Sequence, residues 1–137
     1  MTRLEVETPG LLLDTHVLLW LASAPERCGD AIEVLNDPRV DLWISSASTW
    51  ELAIKSSLGR LDLPSPPADY VEERRERLGA MLVSIDHRHA GAVATLPWHH
   101  RDPFDRLLLA QASEMGLTLA TADLRLAAYD VPILAVG

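Results

Sequence analysis

The sequence predicts a three-layer α/β fold, with a mostly parallel central sheet of about five short strands flanked by helices. Two observations carry this. Short, continuously apolar runs recur along the chain, as expected of parallel strands covered on both faces. Segments with helical periodicity separate them, so strand and helix alternate without an internal repeat. With 137 residues, the chain reads as a single domain spanning 1–137 and burying roughly two-thirds of its unfolded surface.

The strand candidates are residues 11–13, 42–44, 81–83, 117–120 and 131–134. Pro132 has no N–H for a ladder, which places the last strand at an edge. Helical patterns cover residues 17–22 and 31–35, the second ended by Asn36-Asp37-Pro38. A third pattern over 48–58 carries Trp50, Ala53, Ile54 and Leu58, with Gly59 as its stop. After the Pro64-Ser65-Pro66-Pro67 break, residues 68–78 form a highly charged helix. Residues 89–96 precede Pro97, and 103–115 is the most amphipathic stretch, closed by Gly116. Trp20, Trp43 and Trp50 lie on apolar patterns and are expected in the core, whereas Trp98 either packs beside a helix end or stacks on a base.

Composition narrows the function classes. The lone cysteine, Cys28, excludes an internal disulfide and fits a reducing, cytoplasmic setting. The polar start Met1-Thr2-Arg3-Leu4-Glu5 is unlike a signal peptide, and no apolar run approaches the ~20 residues of a membrane helix, so a soluble protein is expected. The net charge of −8, from 12 basic and 20 acidic side chains, opposes broad nucleic-acid affinity. It suits a basic partner or a site that gathers carboxylates around a cation.

Four acids, Asp14, Glu51, Asp105 and Asp123, sit where strands hand over to turns or helices. In parallel α/β folds ligands bind beyond the carboxyl ends of the strands, so these acids are expected at one edge. Each also has a local explanation. Glu51 closes a capping box with Ser48, Asp102 and Pro103 start a helix with Asp105 in its first turn, and Asp123 caps the segment 124–129. Asp14, at the end of an apolar strand, is hardest to explain locally, because burying it unpaired costs several kcal/mol. Four carboxylates at one edge repel unless a cation joins them. Hard ions such as Mg²⁺ or Mn²⁺ take oxygen ligands and can activate water against a phosphodiester. Lys55, four residues after Glu51, reads as its ion-pair partner or as a phosphate contact. Arg101 and Arg106 either offset the acidic field toward RNA or serve solvated or helix-end roles. His87-Arg88-His89 and His99-His100 lack the spacing and sulfur partners of a zinc site, so histidine ligation is not expected.

At this point four stretches resemble one family. Leu11-Leu12-Leu13-Asp14-Thr15-His16-Val17 resembles the opening motif of PIN-domain proteins, and Ser45-Ser46-Ala47-Ser48-Thr49-Trp50-Glu51-Leu52 their second acidic motif. The run from His100 through Asp102-Pro103-Phe104-Asp105-Arg106 to Ala112 resembles the third, and Leu119-Ala120-Thr121-Ala122-Asp123 the fourth. Order, spacing and length are similar to the VapC toxins of type II toxin–antitoxin systems. The resemblance implies a PIN-like fold and a Mg²⁺- or Mn²⁺-dependent endoribonuclease whose acidic quartet is Asp14, Glu51, Asp105 and Asp123. Asp102 is then an N-cap near the metal, and Thr121 stands where the family often has a hydroxyl. It also implies a VapB-like antitoxin covering the cleft, a homodimer and a toxin–antitoxin hetero-oligomer, with the early helices or the charged 68–78 region as surfaces. The competing readings are a DNA nuclease or phosphatase with the same acidic cluster, and a non-catalytic module docking a basic peptide.

Overall fold

A computed structural model describes residues 10–137, so the polar start of the chain lies outside the described residues. Strand β1 (Leu11–Leu13) leads through Asp14 into α1 (Thr15–Ser23), followed by a 3-10 segment (Pro25–Ala31) and the short α2 (Ile32–Leu35). Then come β2 (Leu42–Ser45), α3 (Ser46–Ser57), α4 (Pro67–Leu78), β3 (Met81–Val83) and α5 (His87–Ala92). The C-terminal part holds α6 (Pro103–Met115), β4 (Thr118–Thr121), a 3-10 turn (Leu124–Ala128) and β5 (Ile133–Ala135).

All strand pairs are parallel, in the order β3-β2-β1-β4-β5. The chain therefore builds outward from β1 in one direction, then returns to its other side with β4 and β5. The crevice between the carboxyl ends of β1 and β4 is the topological switch point, the usual ligand position in such sheets. There the Asp14 N–H donates to the Ala120 carbonyl at 3.0 Å, carrying the pairing one residue past the strand.

Strand side chains alternate between the faces. Leu11 and Leu13 join the core beneath α1 and α4, with Val17, Leu18 and Val71, while Leu12 and Leu119 join the core beneath α6, with Leu108, Leu109 and Ala112. Helices thus cover both faces, giving three layers. The edge strand β3 departs from the expected two-sided burial: Leu82 is 48% exposed and Met81 38%. Among the described residues no further strand pairs with its outer edge, so its side chains lack cover. β5 takes the opposite edge, with Pro132 just before it, as its missing donor requires.

Helix ends follow local chemistry with three shifts, the first being that α1 starts at Thr15 rather than Val17 because Asp14 caps it. Pro66 and Pro67 open α4, and Gly79 and Gly116 close α4 and α6 in the left-handed region at φ 62° and 67°. α3 starts at Ser46 rather than Ser48, because Ser45, the last residue of β2, caps it by accepting from the Ala47 N–H at 2.9 Å. α5 starts at His87 rather than His89: Asp86 accepts from the Arg88 and His89 N–H groups, and the His89 ring accepts from the Asp86 N–H. Trp50 is not a core residue. It lies 56% exposed on α3, with its ring edge-on to Phe104 at 5.0 Å.

Candidate metal centre

Asp14, Glu51, Asp105 and Asp123 line one cleft of about 430 Å³ at the switch point, together with Asp102, His16, Lys55, His100, Arg27 and Arg125. Each acid arrives there for a local reason. Asp14 caps α1, its Oδ1 accepting from the Val17 N–H at 2.9 Å, which leaves Oδ2 to receive the Thr121 hydroxyl. Burial pushes the Asp14 carboxyl above the ordinary aspartate range, against the Thr121 and Val17 hydrogen bonds that pull it down.

Glu51 is buried one turn inside α3. The capping-box expectation fails here: Ser48 lies within the helix, its Oγ 3.0 Å from the Thr15 hydroxyl, and that hydroxyl donates to the Glu51 Oε1 at 2.7 Å. The other oxygen, Oε2, takes the Lys55 ammonium at 2.7 Å, the ion pair expected from the i,i+4 spacing.

Asp102 is the N-cap of α6, its Oδ1 accepting from the Phe104 and Asp105 N–H groups at 2.8 and 3.3 Å, with Pro103 at the first helical position. That uses only its Oδ1, so Asp102 still lines the cleft beside Asp105, whose own carboxylate caps nothing. Burial pushes the Asp105 carboxyl up to about 6, reinforced by the charges of Asp102 and Asp14 and only partly relieved by the His100 hydrogen bond. Asp123 caps the following 3-10 turn and is held below the ordinary range by its hydrogen bonds from Arg125 at 2.9 and 2.8 Å.

His100 is the residue that motif spacing did not single out. Its Nε2 sits 2.8 Å from Asp105 Oδ2 and 3.5 Å from Asp123 Oδ2. Among the described residues these three form the group whose donor atoms all lie within 4.8 Å of one another, close enough to share an ion. The imidazole thus stands between two carboxylates that otherwise repel, where a cation would serve the same purpose. Asp14 and Glu51 complete the acidic lining, and Asp105 feels the Asp14 charge. An oxygen-rich donor set with two carboxyls of raised proton affinity, Asp14 and Asp105, fits a divalent ion.

Arg106 departs from the expected RNA-facing, solvated or helix-end role. It is 2% exposed and neither solvated nor directed at the cleft. Its guanidinium donates to the carbonyls of Val93, Leu96, Pro97 and His100 at 2.8 to 3.4 Å and to the Tyr129 hydroxyl at 3.3 Å. Trp98 lies over its outer face at 3.8 Å while remaining 77% exposed. The signal was available: Arg106 shares the buried stripe of α6 with Leu109 and Ala110, where a charged group needs internal partners. Arg101 is exposed.

The fold and site together define an α/β domain with an acidic cleft at its switch point. The PIN domain family model matches residues 11–132, and the chain belongs to that family. Ribonuclease VapC22 of Mycobacterium tuberculosis is 31% identical over 123 residues, covering 89% of this chain and 93% of that protein. Ribonuclease VapC16 of the same organism is 39% identical over 69 residues, 47% of this chain and about half (49%) of that protein's length. Among solved structures, VapBC2 from Rickettsia felis, bound to a promoter DNA fragment, is similar with a TM-score of 0.66 at 14% identity, covering 93% of this chain and 98% of that one. Among the described residues no helix is long and apolar enough to cross a membrane.

Proposed function

We propose that this PIN domain is a divalent-metal-dependent endoribonuclease toxin, restrained by a cognate VapB-like antitoxin. The observation that carries it is the convergence of Asp14, Glu51, Asp105 and Asp123 on one cleft, in a chain whose relatives are ribonucleases. These four acids would hold Mg²⁺ or Mn²⁺. When bound, the ion supplies the charge that favours attack of water on the phosphodiester and steadies the leaving oxygen.

The protein's own groups prepare that site. Thr121 and Val17 fix both oxygens of Asp14, and Thr15 with Lys55 fixes those of Glu51, so neither carboxylate must reorient when an ion arrives. Arg27, Lys55 and Arg125 border the cleft and give an RNA backbone positive groups to meet, despite the acidic whole. The same negative cleft attracts a basic side chain of an antitoxin segment. Homodimerisation, antitoxin-bound hetero-oligomers and a cytoplasmic location belong to this reading as well.

Asp14→Asn tests it directly. Asparagine caps a helix as well as aspartate does, so the fold should survive while the anionic ligand is lost. The expected result is loss of Mn²⁺- or Mg²⁺-dependent RNA cleavage and of growth inhibition, with an unchanged circular dichroism spectrum. Cleavage at the wild-type rate would overturn the assignment. Single-stranded DNA and a small phosphate ester, offered alongside RNA with and without chelator, separate a ribonuclease from a DNase or phosphatase.

A further inference from the structure

The proposed function, on which this inference rests, gives the ion four carboxylate ligands, Asp14, Glu51, Asp105 and Asp123. The geometry points to one more. We propose that His100 is itself a ligand of the ion through Nε2, alongside Asp105 and Asp123, and that this nitrogen makes the centre favour a first-row transition ion such as Mn²⁺ over Mg²⁺.

The placement of the ring supports this. Neighbouring donors around an ion with bonds of about 2.1 Å stand roughly 3 Å apart. The Nε2 distances of 2.8 and 3.5 Å to the two Oδ2 atoms already match that separation. The backbone of His100 is also fixed. Its N–H donates to the Tyr129 hydroxyl at 2.9 Å, and its carbonyl accepts from Arg106 at 3.4 Å. The same guanidinium ties down Val93, Leu96 and Pro97, so one buried cation fastens the whole segment that delivers the imidazole. A surface counter-ion needs no such support; a ligand does, because ligand position sets affinity. The remaining carboxylates at the cleft are hard oxygen donors, which suit Mg²⁺ and Mn²⁺ alike, whereas imidazole suits transition ions. A histidine nitrogen in the set therefore tilts selection away from Mg²⁺.

The test uses the full chain with Mn²⁺ and Mg²⁺ as probes. Pulsed electron paramagnetic resonance of the Mn²⁺-loaded protein should show coupling to a directly bound ¹⁴N nucleus, and His100→Ala should abolish it. Calorimetric titration should show Mn²⁺ affinity falling about tenfold or more in that variant, with Mg²⁺ affinity falling less. Bound Mn²⁺ without nitrogen coupling in the wild type overturns the inference while leaving the carboxylate centre standing. Coupling that persists in His100→Ala, which would place the nitrogen on another residue such as His16, also overturns it. So does a variant that binds both ions as tightly as wild type or more tightly, the behaviour of a histidine that only balances charge. If neither ion binds the wild type, the metal-centre reading fails first. The wild-type spectrum decides the matter even if the alanine variant misfolds.

Discussion

Removing the charge of Asp105 should stabilise the metal-free protein at neutral pH while destroying its metal affinity. The Asp105 carboxyl is pushed up to about 6 by burial and by the charges of Asp102 and Asp14, whereas in the unfolded chain it titrates near 4. Between those values the folded state holds a proton that the unfolded state has released. Stability therefore falls as pH rises from about 4 to about 6, and the loss is complete above that window. A displacement of this size corresponds to about 3 kcal/mol, reduced to roughly 1–2 kcal/mol because the side chain keeps 22% exposure. Asp105→Asn cannot ionise, so urea unfolding in chelator should find it more stable than wild type by that amount at pH 8. The gap should close toward pH 4. Saturating Mn²⁺ should reverse the order: an ion at a hundred times its Kd adds about 2.7 kcal/mol to a protein that binds it, and the variant should gain far less. A gap that is equal at pH 4 and pH 8, or a variant less stable than wild type in chelator at pH 8, would refute the claim that Asp105 is held ionised against its surroundings.

Three further substitutions probe the supporting contacts. Thr121→Val keeps the shape but removes the hydroxyl that Asp14 Oδ2 accepts; chemical denaturation should show a loss of about 1–3 kcal/mol, larger at pH 8 than at pH 4.5 because that bond lowers the proton affinity of Asp14. Arg106→Met leaves several loop carbonyls and the Tyr129 hydroxyl without their donor, so destabilisation of about 3 kcal/mol is expected, with a shift in Trp98 fluorescence as its stacking partner disappears. Lys55→Met leaves the buried Glu51 carboxylate with Thr15 as its remaining partner and should cost about 1–3 kcal/mol; a larger fall in RNA affinity than in stability would assign the ammonium to the substrate.

The central strands were legible because a parallel strand covered on both faces is mostly apolar; β3 carries the same pattern although Met81 and Leu82 are partly exposed. Their ends were less so. β4 runs on to Thr121, whose hydroxyl is spent on Asp14, a contact between residues far apart in sequence. The capping serine of α3, expected at Ser48, was misplaced for a similar reason. Ser45, Ser46 and Ser48 all have the right side chain, and the choice falls to Ser45 because β2 ends there with no intervening loop. The acids could be named from the chain because each follows a strand or opens a helix. His100 could not, since it reaches Asp105 and Asp123 only through the segment that Arg106 and Tyr129 hold in place. Its position five residues before Asp105, next to the Asp-Pro helix start, is the one local hint.

The capping and site-forming roles of these acids are not rivals. In a parallel α/β sheet, strand carboxyl ends and helix amino ends share one edge, so any side chain that caps a helix there also faces the crevice. Asp14 and Asp123 show this, each giving Oδ1 to a backbone N–H while Oδ2 turns to another side chain. A cap needs one oxygen, and a carboxylate has two. What marks a site is therefore the oxygen left over after the cap is made, together with acids that cap nothing. Glu51 and Asp105 are of that second kind: no backbone N–H holds either side chain in the hydrogen bonds described, and both are drawn to the cleft by side-chain partners alone. A helix end needs neither of them. Their burial beside Asp14 raises the electrostatic cost of the folded state, and a positive group in the cleft is what lowers it.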